Sequence, residues 1–352
     1  MPILDCSNKK EVKKYNDFLN SHKNVSIMQS LEWGKVKKGW KVEAVYLEEN
    51  KKIVAAMTVL LKKVPGLKSH LMYAAKGPVC DCYDIETVKK LIEEAKPIVE
   101  KYKVFALRMD PELKRDSKLE SLYRENGFKV RNEGKDKVSL IQPRYNMILD
   151  LEGETEESLM KRFSEKTRYN IRLSKRKGVT VRYSHDVEDL KKFYELYEIT
   201  GKRDNFLYRG YEYFEHMLNT LPEENMRIYI AEHEGDYLSG AVCINYGNKV
   251  WYMYGASSNQ KRNKMPNYAM QFEMIKWALE SKAKYYDFGG VFVLNKEDGL
   301  YKFKEGFCRQ EGVTEFVGEF DKVYNKFVYF LFEEIVPFIQ NLKRKLNFKR
   351  KK

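Results

Sequence analysis

Metal and nucleophilic chemistry need thiols, imidazoles or hydroxyls at set spacings. Five cysteines (Cys6, Cys80, Cys82, Cys243, Cys308) and five histidines (His22, His70, His185, His216, His233) are present, but no C-x-x-C pair or H-x-x-x-H spacing occurs. Cys80 and Cys82 offer two ligands at a spacing that strands produce by chance, so the cysteines read as structural thiols and no metal is expected. Nothing marks one thiol as activated, and no G-x-S-x-G nucleophile motif is present. Neither G-x-G-x-x-G nor G-x-x-x-x-G-K-[ST] occurs, so a nucleotide cofactor has no motif to hold it.

What remains is charge. The chain has 65 basic and 51 acidic residues, a net charge of +14. Residues 161 to 182 hold nine basic residues and one acidic, the last ten hold seven basic and none acidic, and the rest is close to neutral. The spacing predicts one helix over 156–177, with Leu159 and Phe163 on its inner face and Gly178 closing it. Lys175, Arg176 and Lys177 would then complement the helix dipole. Lys161, Arg162, Lys166, Arg168 and Arg172, with Tyr169 among them, are left as a face for a polyanion or as a solvated charged surface. The C-terminal device differs in kind. Phe327, Phe330, Leu331, Ile335, Phe338, Ile339 and Leu342 recur at three- and four-residue spacing and run into the lysines, as in an interfacial anchor on an anionic membrane or in a helix packed on the body with a frayed tail.

These devices need a scaffold, and 352 residues with 43% hydrophobic content suffice for about two globular domains. The longest apolar stretch, Phe327 to Ile339, is too short to span a bilayer and is broken by Glu333, Glu334 and Pro337. The first residues, MPILDCSNKKEV, have no basic region followed by an apolar run, so a cytoplasmic protein is expected, peripheral at the inner face of the plasma membrane if the tail binds lipid.

Two stretches repeat one order of elements. Ala44 to Leu61 and Ile228 to Tyr246 alternate as hairpins around a charged turn, and His70 to Gly77 and Val250 to Ser257 read as strands. Helices follow at Ile85 to Tyr102 and Asn267 to Ser281, then strands at Val104 to Pro111 and Lys284 to Val291. Hairpin, strand, helix, strand, found twice, resembles the acyl-CoA N-acetyltransferase (GNAT) half-fold in tandem: an α/β (α+β) chain with one domain at 1–145 plus 317–352 and a second at 146–316. The superfamily's pyrophosphate loop, Q/R-x-x-G-x-G/A, is matched here by Arg262, Asn263, Lys264, Met265, Pro266 and Asn267, without a glycine. Acetyl-CoA is therefore not expected as donor.

A doubled half-fold without the cradle and with a basic face resembles the Fem family of aminoacyltransferases, FemX, FemA and FemB. The matching strings are QSLEWGKVK (Gln29 to Lys37), LRMDPE (Leu107 to Glu112), IQPRYNMILDL (Ile141 to Leu151), RGYEYF (Arg209 to Phe214), VWYMYGASS and DGLYKFKEGF (Asp298 to Phe307). The resemblance implies an enzyme that moves an amino acid, Ala, Ser or Gly, from aminoacyl-tRNA to the amine of the third stem-peptide residue of a muramyl pentapeptide. The acceptor would be UDP-linked or lipid-linked, and neither cofactor nor metal would take part. FemA-type members carry a coiled-coil arm after the strand corresponding to IYIAEHEG. Here Gly235 leads directly into Asp236, Tyr237 and Leu238, as in the shorter FemX type.

The same resemblance implies residue roles. Lys304 matches a lysine beside the reacting ester, where one fixed charge would stabilise the oxyanion. By its spacing alone, next to the stripe Leu300, Phe303 and Phe307, it would be a solvated helix lysine. Phe303 matches a neighbour of that site, and core packing fits it equally. Lys37 and Arg209 match positions that bind the acceptor's diphosphate, which suits an ammonium and a bidentate guanidinium. Tyr213 and Tyr254 match further acceptor contacts, and Asp110 matches an aspartate considered as general base, with Arg108 as its possible ion-pair partner. Rival readings keep the basic helix and tail: another aminoacyl-tRNA-dependent transferase acting on lipid headgroups or protein N-termini, or a non-catalytic tRNA- or membrane-binding module.

Overall fold

The computed structural model describes residues 3–23, 25–132 and 140–335. The chain forms two compact units, Met1–Asn24 with Met28–Gly134 and Val317–Lys352, and Val25–Ile27 with Lys135–Phe316.

Unit 1 opens with α1 (Lys9–Ser21), whose first amides donate to the Asn8 side chain, and α2 (Leu31–Val36), capped by Ser30. A hairpin of β1 (Lys41–Glu49) and β2 (Lys52–Lys63) turns through Asn50 and Lys51, both at positive φ. Then come β3 (His70–Ala74), α3 (Ile85–Glu94), α4 (Lys96–Tyr102), β4 (Val104–Met109), α5 (Ser117–Glu125) and β5 (Lys129–Arg131). The single helix expected over 85–102 is two. Pro97, at the start of α4, has no N–H to continue the ladder, and its ring clashes with the carbonyl of the preceding turn.

Unit 2 begins with β6 (Tyr145–Asp150), α6 (Glu156–Arg162), α7 (Glu165–Arg176), β7 (Thr180–Ser184), α8 (Val187–Asp204) and α9 (Tyr211–Thr220). The repeat follows as β8 (Met226–His233), β9 (Asp236–Tyr246), β10 (Lys249–Ser257), α10 (Pro266–Glu280) and β11 (Tyr285–Gly290), then α11 (Gly299–Glu305) and β12 (Val313–Glu315). Glu234 and Gly235, at φ 51° and 82°, form the whole connection between β8 and β9. The helix expected over 156–177 is broken at Phe163, which takes an extended ψ of 156°, and Ser164 restarts it by accepting the Thr167 amide. Leu159 and Phe163 are core residues all the same.

The chain returns to unit 1 as β13 (Glu319–Val323) and α12 (Lys326–Phe330), continued by a wider turn at Leu331–Ile335. The sheet of unit 1 runs β1-β2-β3-β4-β13-β5, and that of unit 2 runs β12-β6-β11-β10-β9-β8-β7. Buried ion pairs tie the returning strand into unit 1: Arg108 on β4 meets Asp321 at 2.7 Å, Glu333 at 2.7 Å and Glu319 at 3.4 Å. The partnership expected between Arg108 and Asp110 is thereby corrected: Arg108 is taken up by these three acids, and Asp110, just past the end of β4, accepts from the Tyr73 hydroxyl and the Lys76 amide instead. The C-terminal helix packs on Val64, Leu71 and Phe105 through Val328, Tyr329 and Phe332, which lie outside the expected stripe, while Phe327 and Phe330 of the stripe are exposed. Residues 336 to 352, including Phe338, Ile339, Leu342 and the lysine-rich end, lie outside the described residues.

The two repeats differ where chemistry would need space. In unit 1 the parallel pair β3–β4 stays bonded from His70↔Val104 to Ala74↔Met109, with one register shift after His70. In unit 2 the parallel pair β10–β11 holds from Lys249↔Tyr285 only to Trp251↔Asp287, after which the strands are no longer bonded to each other.

Candidate active site

The gap between β10 and β11 is floored by Asp287, Phe288, Gly289 and Gly290. Asp287 is 1% exposed and accepts from the Gly289 amide at 2.7 Å and from Asn146 Nδ2 at 3.2 Å, with the Lys249 ammonium at 3.4 Å. Gly289 sits at φ +74°, where a side chain would be strained, and a Cβ there would lie 3.6 Å from Trp251 Nε1 and 3.9 Å from Lys304 Nζ.

Lys304 reaches this floor from α11. It is 4% exposed, and its Nζ donates to the Gly290 carbonyl oxygen at 2.9 Å. Burial pulls its pKa down from 10.5 to about 8, against the opposing pull of Asp287. The ammonium is therefore mostly protonated at neutral pH, has few neighbouring acceptors and is withdrawn from water. The solvated lysine suggested by spacing is ruled out. Leu300, expected on the inner stripe, is 46% exposed, so the helix presents a different face from the one its apolar spacing implies.

Two contacts hold α11 in place. Asp298 caps it through the Tyr301 amide, and the Ser164 amide donates to the Gly306 carbonyl at 2.8 Å. A Cβ on Gly306 would lie 2.3 Å from Thr167 Oγ1, so the start of α7 and the end of α11 can approach this closely only over a glycine. Phe303 is half-buried, edge-on to Tyr268 at 4.9 Å. It lines a pocket of about 170 Å³ with Leu238, Ser257, Arg262, Pro266 and Tyr268. In the loop closing this pocket Met265 is left-handed at φ 56° and Pro266 has no N–H, so the start of α10 is no glycine cradle.

Three other residues singled out from the sequence meet in unit 2. The Tyr213 and Tyr254 hydroxyls are 3.2 Å apart, and the Arg209 guanidinium lies over the Tyr213 ring at 4.6 Å. Burial pushes the Tyr213 phenol up, so it stays a neutral donor. Lys37 and Asp110 belong to unit 1. Lys37 ends α2 with its ammonium 4.3 Å over the Trp33 ring. Asp110, 4% exposed, accepts from Tyr73 Oη at 2.8 Å and the Lys76 amide at 2.6 Å. Burial raises its pKa to about 6 despite the nearby Lys76 charge.

The basic helix is narrower than expected. Arg162 is paired with Glu154 and Glu311, and Arg168 donates to the Phe163 carbonyl at 2.6 Å, satisfying the end of α6. Lys161 is exposed beside Glu157. Lys166 and Arg172, with Lys175 and Arg176, line the exposed side of α7 around Tyr169, without an ion pair among the described residues. The 177 to 264 region continues this surface, since Lys177 Nζ donates to the Asn263 carbonyl and Lys264 Nζ to the Lys177 carbonyl, each at 3.3 Å. Asn146, Lys249, Asp287 and Gly289 escaped the sequence reading. The one signal for them was the Asp-Phe-Gly-Gly run ending a strand.

The profile of the FemAB family matches residues 11–236 and 229–336. The chain belongs to the FemAB family. It is 34% identical over 94% of its length to the UDP-N-acetylmuramoylpentapeptide-lysine N(6)-alanyltransferase of Weissella viridescens, covering 98% of that protein. It is also 32% identical over 96% of its length to the lipid II:glycine glycyltransferase of Staphylococcus epidermidis, again covering 98% of the relative. That alignment spans 411 positions, more than this FemAB chain possesses, so the glycyltransferase carries inserted segments. Among solved structures, FemX superposes with a TM-score of 0.86 at 28% identity, over 95% of this chain and 100% of FemX. A tandem GNAT protein of the clavulanic acid pathway superposes at 0.55 with 9% identity over 92% of this chain and 97% of its own, which supports the doubled fold alone.

Proposed function

We propose that this FemAB protein is an aminoacyl-tRNA-dependent transferase that adds alanine, serine or glycine to the amine of the third stem-peptide residue of a muramyl pentapeptide, building the interpeptide bridge of peptidoglycan. The observation that carries the reading is the buried Lys304 ammonium at the opening between β10 and β11. The amine attacks the ester carbonyl, a C–N bond forms, the C–O bond to the tRNA ribose breaks, and the proton lost by the amine ends on the ribose oxygen. Charge builds on the carbonyl oxygen in between, and a fixed ammonium in a water-poor site is suited to stabilising it. No covalent enzyme intermediate is needed, which agrees with thiols such as Cys308 that burial holds protonated.

In this reading Lys166, Tyr169, Arg172 and Arg176 contact the tRNA backbone, and Arg209, Tyr213, Tyr254 and Lys37 bind the acceptor. Acetyl-CoA is not the donor, because Met265 and Pro266 stand where phosphate-binding amides would be needed. Such substrates place the enzyme in the cytoplasm.

The test is incubation with a panel of labelled aminoacyl-tRNAs and with UDP-linked and lipid-linked pentapeptides. A product heavier by one aminoacyl residue on the stem-peptide amine is expected. Transfer to a lipid headgroup or protein N-terminus alone, or no transfer from any charged tRNA, overturns the reading.

A further inference from the structure

A second concentration of charge lies in unit 1. Lys41 at the start of β1, Lys63 at the end of β2, Lys68 and His70 at the start of β3, and Lys101 and Lys103 before β4 line one cleft of about 420 Å³. No carboxylate lines it. At its margin Glu43 accepts from Lys101 at 2.9 Å and from the Tyr102 hydroxyl at 2.6 Å. Lys41, Lys63, Lys68 and Lys103 have no ion pair among the described residues and are exposed. Gathering so many ammoniums without counter-charges costs stability, and the cleft sits at the strand ends opposite Asp110, so neither the fold nor the candidate acceptor contacts account for it.

The loop that separates Lys63 from Lys68 also seats the C-terminal helix. Val64, Leu67 and Leu71 pack with Val328, Tyr329 and Phe332. On the other side of the same helix Phe327 is 70% exposed and Phe330 57% exposed, one turn apart. Phenylalanine has no polar end to satisfy water, so two exposed rings on a helix seated on the loop between Lys63 and Lys68 form an apolar surface without a partner among the described residues. A bilayer surface accommodates both features, with phosphate headgroups for the ammoniums and the acyl boundary for the rings. The sequence extends the apolar spacing through Leu342 and then supplies seven further basic residues, which favours a lipid surface over a nucleic acid.

We propose that this end of unit 1, where β3 and β4 begin and which carries the lysine cleft on one side of the sheet and the helix of Phe327 and Phe330 on the other, docks on a bilayer surface rich in anionic phosphate headgroups. Docking of this kind does not depend on the transfer reaction and is tested without it. The full chain is floated with vesicles of phosphatidylcholine alone or mixed with phosphatidylglycerol, at low and high salt. Co-flotation with the anionic vesicles only, weakened by salt, is expected. The triple variant Lys41→Glu, Lys63→Glu, Lys68→Glu should reduce the bound fraction at least about tenfold. A control with the same change in charge, Lys89→Glu, Lys191→Glu, Lys202→Glu, should stay within about twofold of the parent. In a Phe330→Trp variant, brominated lipid should quench the new emission. Equal flotation of the cleft variant and the parent overturns the proposal, as does equal loss in the control, which would make net charge the cause. Absence of quenching overturns the role of the rings. A cleft variant that loses tRNA in a gel-shift assay yet floats normally assigns the cleft to RNA and overturns the lipid partner.

Discussion

Lys304 has opposite consequences for activity and stability. If its charge acts on the transition state, Lys304→Met should lower kcat by about 10² to 10³ and leave the acceptor KM nearly unchanged, whereas Lys37→Met and Arg209→Met should raise the acceptor KM first. Steady-state kinetics on the three variants separates these outcomes, and equal effects on both parameters at all three positions would mean the roles are misassigned. The pH dependence has a definite sign. With a folded pKa of about 8 against 10.5 when exposed, the unfolded chain binds more protons between those values. Stability should therefore rise with pH from about 8 to 10.5 through this group, as the penalty for burying the charged form disappears. The single-turnover rate should fall over the same range as the ammonium is lost. Denaturant melts across pH should show that rise in the parent and its absence in Lys304→Met, which should be no less stable than the parent at pH 7. None of this was visible from the spacing around Lys304, because burial of one lysine depends on which face of a seven-residue helix the sheet accepts.

At the scale of elements, the break at Phe163 decides what the basic segment does. One unbroken helix would have carried all five basic residues outward, but two helices turn Arg162 into an internal pair and Arg168 into a cap. Replacing Lys166, Arg172 and Arg176 with Ala should leave the melting temperature within about 2 °C, weaken tRNA binding and make its logarithmic salt dependence shallower by about 2. Arg162→Ala should instead destabilise by about 2 kcal/mol or more by leaving Glu154 and Glu311 unpaired, with little change in that slope. Calorimetry and salt-dependent binding distinguish the two. The contact between α7 and α11 gives a second test. Gly306→Ala should cost about 1–3 kcal/mol through the clash with Thr167, and Thr167→Ala should recover part of the loss in the double variant. Non-additivity below about 0.5 kcal/mol would show that the contact relaxes freely.

For the whole molecule, the repeat was legible because hairpins and amphipathic helices are local patterns, and both copies form with the strand order of the half-fold. The functional difference between the copies was not legible. It lies in where two parallel strands stop bonding, early in unit 2 and at the strand ends in unit 1. The lysine cleft was equally hidden, since Lys41, Lys63, Lys68 and Lys101 are dispersed along the chain and only the sheet gathers them. If the basic end assists docking, deleting residues 343 to 352 should reduce activity on lipid-linked pentapeptide in vesicles several-fold and spare activity on the soluble UDP-linked form. Equal loss on both acceptors would assign the tail to catalysis or folding.

By itself the sequence determined the doubled α/β plan, the missing glycine cradle at Arg262 to Asn267, the short turn at Glu234 and Gly235, and the family strings around Lys37, Asp110, Arg209, Tyr254 and Lys304. Each depends on residue type or near-neighbour spacing, which a linear string preserves. Tertiary structure alone decided that Lys304 is dry while Leu300 is wet, that Arg108 serves Asp321 rather than Asp110, and that Asp287 and Gly289 form the floor beneath Lys304. Those outcomes depend on which groups lose water together, and desolvation is a property of the packed chain.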